Sequence, residues 1–341
     1  MAKVFIIAEA GVNHNGSVET GKKLIDAAVK AGCDAVKFQT FTAENIAIKS
    51  APLAKYQYDG REPRQSQFEM LKKLELSARA HRELFRHCAK RKIMFMSTPF
   101  DEESVEFLDV LGMKVFKIPS GEITNKPLIE KIAAKRKPVI LSTGMSYLKE
   151  VESAVNWINR VWRGSKDRPG ITLLHCVSNY PADIKDINLK AIETLSSAFG
   201  LPVGLSDHTM MIEVAVAAVA MGAGVIEKHF TLDRNMDGPD HKASFEPDEL
   251  RNMVAAIRNI EKAMGDGVKA PRKKEREIRA VARKSLVAAK DIKSGAVITR
   301  NDIAVKRPGT GIPPEFIRQI INKKARVNIK NDSLFKRSDF S

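Results

Sequence analysis

PVGLSDHT, residues 202–209, and GVIEKHFT, residues 224–231, read as two short β-rich runs that each close on polar residues and a histidine. A parallel barrel brings the carboxyl ends of neighbouring strands together, so His208 and His229, distant along the chain, can meet at one divalent metal. Two histidines have no diagnostic spacing of their own, and structural histidines are common. Their meaning depends on what surrounds them.

Six further runs of the same kind precede them: VFIIAEAG from Val4, DAVKFQT from Asp34, IMFMSTPF from Ile93, VFKIPSGE from Val115, PVILSTGM from Pro138 and TLLHCVSN from Thr172. Segments with helical period separate most of them, at 21–31, 78–92, 148–162 and 211–221. Eight strands alternating with helices predict an α/β protein, a (β/α)8 TIM barrel, over residues 1–264. A doubly wound sheet is the alternative, but no G-x-G-x-x-G follows the first strand. The polar stretch 41–76 is expected to be a long loop over the end of the second strand. A charged connector, partly helical, fills 265–284, and from Ser285 to Ser341 short strands, turns and one brief helix form a β-rich module too small to be secure alone.

The 341 residues, 43% of them hydrophobic, suffice for a large core. Neither a signal peptide nor a membrane span is legible, and Cys33, Cys88 and Cys176 lack metal or redox spacing, so a reduced cytoplasm is the expected compartment. The net charge of +16 raises nucleic acid as a partner. With 6% aromatics, no recognisable nucleic-acid module, and much of the basic excess in one stretch from Lys269 to Lys284, the expectation is instead no nucleic acid and an anionic small substrate.

Polar residues gather at the strand ends, where a barrel builds its site: Glu9, Asn13 and His14; Lys37 and Gln39; Ser97 and Thr98; Lys117, Ser120 and Glu122; Ser142 and Thr143; Ser178; Ser206, Asp207 and His208; Glu227 and His229. Residues two apart share a face of a strand, which puts Glu227 and His229 on one side and Lys228 outward. Lys37 and Lys117 with nearby hydroxyls suit a phosphate plus a carboxylate; a Schiff-base lysine is the alternative. Glu122 is a candidate base toward water, or else an ion-pair partner that orients Lys117.

Taken in order, IIAEAGVNHNG, VKFQTF, STPFDEESVEFL, KIPSGEITN, LSTGMS, LLHC, GLSDHT, IEKHFTLD, GPDHKAS and KRPGTGI resemble the sialic acid synthase family across nearly the whole chain. That resemblance implies condensation of phosphoenolpyruvate with an N-acylated amino sugar, on a TIM barrel followed by an antifreeze-like (SAF) domain. It also implies a domain-swapped homodimer in which the small domain covers the partner's site. By motif, His208 and His229 match the ligands of a manganese or magnesium ion, and Glu9 falls close to the reacting centre. Lys37, Thr98, Lys117, Ser120, Ser142, Ser178 and Ser206 match phosphoenolpyruvate positions. Gln39, Tyr180, Asp240 and Arg307 match amino-sugar positions, Arg307 reaching the site from the second subunit.

The implied reaction joins the enol carbon of phosphoenolpyruvate to the sugar aldehyde; water then adds at the pyruvyl carbon and phosphate leaves by C–O cleavage, with Glu122 the candidate for taking that water's proton. The expected acceptor is N-acetylmannosamine, giving N-acetylneuraminate. A 2,4-diacetamido-2,4,6-trideoxymannose acceptor, giving legionaminate, is the alternative, with pseudaminate more distant. HCVSNYPADI falls where members of that family vary, often with asparagine or threonine at Ser178 and a closing Pro-x-Pro. A Schiff-base lyase and a non-catalytic polyanion- or ice-binding protein are the readings from other classes.

Overall fold

Eight strands run parallel in the computed structural model, which describes residues 3–54, 65–164 and 168–341. They are β1 (Phe5–Gly11), β2 (Ala35–Thr40), β3 (Met94–Pro99), β4 (Phe116–Ile118), β5 (Val139–Ser142), β6 (Ile171–Cys176), β7 (Val203–Asp207) and β8 (Val225–His229). The ladder runs β3-β2-β1-β8-β7-β6-β5-β4, and its two end strands, β3 and β4, pack side by side to bring the sheet to a nearly closed barrel. The strands are buried almost from end to end, as expected where helices cover the outside and side chains fill the inside.

The helices follow from capping and periodicity. α1 (Val18–Ala31) starts where Ser17 Oγ accepts the Thr20 N–H and stops at Gly32, whose φ of 84° suits a residue without Cβ. Its Leu24, Ile25 and Ala28 pack against the outer faces of the strands. The other barrel-unit helices are α2 (Ala43–Ile46), α3 (Gln67–Leu74), α4 (Ala78–Arg91), α5 (Glu102–Leu111), α6 (Lys126–Ala134), α7 (Leu148–Val161), α8 (Ala191–Phe199), α9 (Ile212–Ala220) and α10 (Pro247–Met264).

Period-two alternation sorts the lumen into layers. Ile7, Ala35, Met96, Ile140, Leu174 and Val225 form an apolar plug at the amino end. Gly204 belongs to this layer because a Cβ there would lie 2.3 Å from the Val225 carbonyl oxygen. Two residues further along each strand stand Glu9, Lys37, Thr98, Ser142, Cys176, Ser206 and Glu227, so the polar layer rests on the apolar one.

The stretch 41–76 is not simply a loop. It carries α2 and α3, the latter begun by a capping box of Ser66 and Glu69, while residues 55–64 lie outside the described residues. Met70 and Leu74, four apart on α3, turn one face toward Val12 and Phe41 and form a separate apolar cluster at the mouth of the barrel. Lys72 and Lys73 occupy its exposed face, which explains why the stretch reads as polar.

A second unit, 267–341, contains α11 (Lys273–Ala282) and an antiparallel pair, β9 (Ser285–Ala288) with β10 (Ile303–Lys306). Leu286, Ile298, Ile303, Ile320 and Phe335 give it a core of its own. Its brief helix is a 3-10 segment, Pro314–Gln319. Among the described residues no helix is long and apolar enough to cross a membrane.

Candidate active site at the carboxyl ends of the strands

Four charged side chains from four strands meet in the polar layer. Lys37 Nζ lies 2.7 Å from Glu9 Oε2 and donates to Thr98 Oγ1 at 2.9 Å; it stands 3.7 Å from Glu227 Oε2. Lys117 Nζ donates to Glu227 Oε1 at 2.9 Å, and Ser206 Oγ donates to the same oxygen at 3.0 Å. All are buried. Glu227 is thus the hub, between both lysines.

The electrostatics divide the two carboxylates. Burial pushes Glu9 up to about 7, with Lys37 opposing and Glu227 reinforcing. Burial acts on Glu227 in the same sense, but Lys117 and Lys37 outweigh it and hold that carboxyl well below the usual range. Lys37 is raised: burial lowers it, and Glu227 and Glu9 more than compensate. Lys117 is lowered by burial, only partly offset by Glu227. With Glu9 partly protonated near neutrality, the cluster carries a positive balance suited to an anion.

Beside it, the rings of His208 and His229 stand 5.4 Å apart, centroid to centroid, and Tyr180 lies over His208 at 4.1 Å. His208 Nδ1 is 2.7 Å from the Val177 carbonyl oxygen, which fixes a proton there and leaves Nε2 as the acceptor nitrogen. His229 Nδ1 is buried without a hydrogen-bond partner, 3.8 Å from Asp240 Oδ2. Burial, then His208 and Lys37, push His229 well down, keeping it neutral, whereas His208 is raised because Cys176 and the Val177 carbonyl outweigh burial. Among the described residues no group of three or more His, Cys, Asp or Glu can hold a metal by itself.

The remaining predicted residues fall around this centre. Ser120 Oγ accepts the Gly144 N–H at 2.9 Å; a Cβ on Gly144 would lie 2.4 Å from Ser178 Oγ and 2.8 Å from Ser120 Oγ, so these two hydroxyls crowd one backbone position. Ser142 Oγ is buried without a partner. Gly11, at φ 50° where the β1–β2 register slips, leaves room in which Glu9, Gln39 and Asp240 converge: a Cβ there would lie 3.4, 3.4 and 3.5 Å from their polar atoms. Burial raises Asp240 to about 6 against His208 and Lys37. Glu122 is half-buried, accepts from Asn125 Nδ2 at 2.6 Å, and shares a cavity of about 270 Å³ with Gln39 and Asp240. Lys117 pairs with Glu227 rather than Glu122, which removes the ion-pair role weighed for Glu122. Arg307 belongs to the second unit, where its Nε donates to the Ala282 carbonyl.

Several polar strand-end residues serve other purposes. Asp207 and Lys228 point away from the lumen and pair at 2.8 Å, so the outward lysine is fully buried rather than solvated. Ser97 and Thr40 bind each other on the outer face, with His81. Asn13 ties β1 to the β8 loop through the Phe230 carbonyl and Ser244. Glu227 and Cys176 are the residues whose weight sequence reasoning underrates; for Glu227 the signal was the run Glu-Lys-His inside a buried strand, and for Cys176, whose Sγ lies 3.8 Å from His208 Nδ1, there was none.

The profile of the NeuB family matches residues 24–269 and that of the SAF domain residues 283–341. The chain belongs to the NeuB family. It is 52% identical to an N,N'-diacetyllegionaminic acid synthase of Campylobacter jejuni, over 98% of this chain and 100% of the relative, and 48% identical to one of Legionella pneumophila, over 95% and 91%. Among solved structures, an N-acetylneuraminic acid synthetase from Leptospira borgpetersenii in complex with citrate superposes with a TM-score of 0.70 at 36% identity, covering 81% of this chain and 90% of that one. The family and its synthase class therefore agree with the sequence reading. The acceptor does not: N-acetylmannosamine is less well supported than the legionaminate alternative. The motifs quoted in the sequence analysis did not separate the two acceptors.

Proposed function

We propose that this NeuB-family enzyme condenses phosphoenolpyruvate with 2,4-diacetamido-2,4,6-trideoxymannose and water, giving N,N'-diacetyllegionaminate and phosphate. The observation that carries the acceptor is the 52% identity to a legionaminate synthase along that relative's entire length. The reaction class is supported by the buried lysine–carboxylate cluster, which presents positive charge to a small anion inside the lumen of the nearly closed barrel.

Lys37 and Lys117, with Thr98, Ser142 and Ser206, would hold the carboxylate and phosphate of phosphoenolpyruvate, and Ser120 and Ser178 would extend that cradle. Gln39, Tyr180 and Asp240 would orient the open-chain sugar. Glu9, poised near 7, is suited to giving a proton to the aldehyde oxygen as the enol carbon forms the new C–C bond. Water then adds to the cationic pyruvyl carbon and Glu122 takes its proton. Phosphate departs with the bridging oxygen and takes up the proton of the new C2 hydroxyl, leaving the 2-keto group.

His208 and His229 fit a divalent metal such as Mn2+ or Mg2+: one ring is fixed by a carbonyl, the other has an unpartnered buried nitrogen, and the remaining ligands would come from outside the protein. Such an ion supplies Lewis-acid polarisation of the acceptor carbonyl. The domain-swapped homodimer, with Arg307 of one subunit reaching the other's sugar site, belongs to the same proposal.

The test is phosphate release from phosphoenolpyruvate carrying 18O in the bridging position. Release that depends on the acceptor, with the label in phosphate, supports the reading. Label retained in the sugar acid, or acceptor-independent release, contradicts it.

A further inference from the structure

The cavity that Gln39, Glu122 and Asp240 share has a second wall that the chemistry above does not use. Phe41, Ile46, Met70, Leu71, Leu74 and Phe100 make it largely apolar, with Gln67 of α3 as a polar group among them, and Phe41 and Phe100 meet edge to face at 6.2 Å between centroids. This cluster is separate from the barrel core and sits on α2, α3 and the ends of β1 to β3. The polar rim leads back to the reacting centre, because Asp240 Oδ2 is 3.8 Å from His229 Nδ1 and converges with Glu9 and Gln39 around Gly11.

A six-carbon open-chain sugar held with its aldehyde at Glu9 and His229 would extend along this rim toward the apolar wall. The two acceptors differ at that end. The diacetamido sugar ends in a methyl group at C6 and carries a second acetamido methyl at C4, whereas N-acetylmannosamine ends in a hydroxymethyl group and has a hydroxyl at C4. The apolar part of this wall stabilises buried methyl groups and leaves a hydroxyl buried against it unpaired, while Gln67 can partner the C4 amide.

We infer that the α2–α3 wall, through Ile46, Met70 and Leu74, is the specificity determinant that receives the methyl-bearing C4–C6 end of the acceptor and favours a 6-deoxy, 4-acetamido sugar. This rests on the proposed condensation and names the residues that choose its substrate. A pocket of this kind discriminates by about 10- to 200-fold per methyl-sized difference, so the preference is expected in that range.

The experiment measures kcat/KM for both sugars at saturating phosphoenolpyruvate in the wild-type enzyme and in Met70→Gln, Met70→Leu and Ile46→Asn. Met70→Gln and the less buried Ile46→Asn are each expected to lower the ratio of diacetamido sugar to N-acetylmannosamine by about tenfold or more, without moving KM for phosphoenolpyruvate. Met70→Leu is expected to keep the ratio. Equal loss with both sugars, or an unchanged ratio in both polar variants, overturns the inference and leaves the condensation standing. A wild-type enzyme inert toward both sugars overturns the condensation and this inference with it.

Discussion

Replacing Lys228 with methionine tests how β7 and β8 are held together behind the site. Its ammonium lies 2.8 Å from Asp207 Oδ2, donates also to the Thr209 carbonyl, and sits 4.0 Å from the centroid of Phe245. Lys228 and Asp207 are 0% and 1% exposed and pair across the register, each between two inward residues: Ser206 and His208 on one strand, Glu227 and His229 on the other. Without the ammonium, Asp207 keeps the Thr209 N–H at 2.9 Å as its remaining donor in a dry site. Stranding a buried charge in this way costs about 3–5 kcal/mol. For a unit of this size each kcal/mol moves Tm by roughly 2–4 °C, so Lys228→Met should lower the first transition by roughly 6–20 °C. Adding Asp207→Leu removes the stranded charge and should recover most of the loss, since well-packed apolar replacements of buried pairs are often neutral. Circular dichroism melting of the wild type, both single variants and the double variant closes the cycle. A loss below about 1 kcal/mol in Lys228→Met, or single losses that simply add in the double variant, would refute the reasoning.

Two further outcomes follow, one from the titrating groups and one from the proposed subunit arrangement. Burial, then His81 and His241, hold His14 at about 4, so between pH 6.5 and 4 the unfolded chain takes up a proton that the native His14 does not, and this contribution to stability falls as the pH drops. Glu9 acts oppositely: held at about 7, it keeps its proton in the native state down to 4.5, and its contribution grows on acidification. Relative to wild type, His14→Gln should therefore gain up to about 3 kcal/mol between pH 7 and pH 4 in urea titrations; a pH-independent difference would contradict this. Glu122→Gln and Arg307→Ala should each be inactive alone, yet mixed and reassembled subunits should regain about a quarter of wild-type turnover, because half the dimers are hybrids with one intact site. Absence of any recovery in confirmed hybrids would contradict the swapped arrangement.

The barrel was legible because parallel strands covered on both faces must be apolar runs, and the polar ends of those runs stand out against them. Alternation also identified the inward pair Glu227 and His229. It could not say that Asp207 and Lys228 satisfy each other in the strand–helix layer, because the partner of an outward charge depends on neighbouring elements. Likewise Glu122 looked close to Lys117 in sequence, yet a 3-10 turn at 120–122 carries it to the rim, and Glu227, 110 residues away, takes the lysine. The α3 helix was hidden by Lys72 and Lys73, although Met70 and Leu74 already had the spacing of one helix face. The acceptor was not legible at all in the motifs; the residues inferred to choose it lie in that misread stretch.

One competition measures the central claim most directly: phosphoenolpyruvate, Mn2+ and equal concentrations of N-acetylmannosamine and 2,4-diacetamido-2,4,6-trideoxymannose in one tube, with the two sugar acids resolved by mass. The account predicts that N,N'-diacetyllegionaminate accumulates faster, with one phosphate released for each product molecule. Faster accumulation of N-acetylneuraminate would contradict the acceptor assignment, and neither product would contradict the condensation itself.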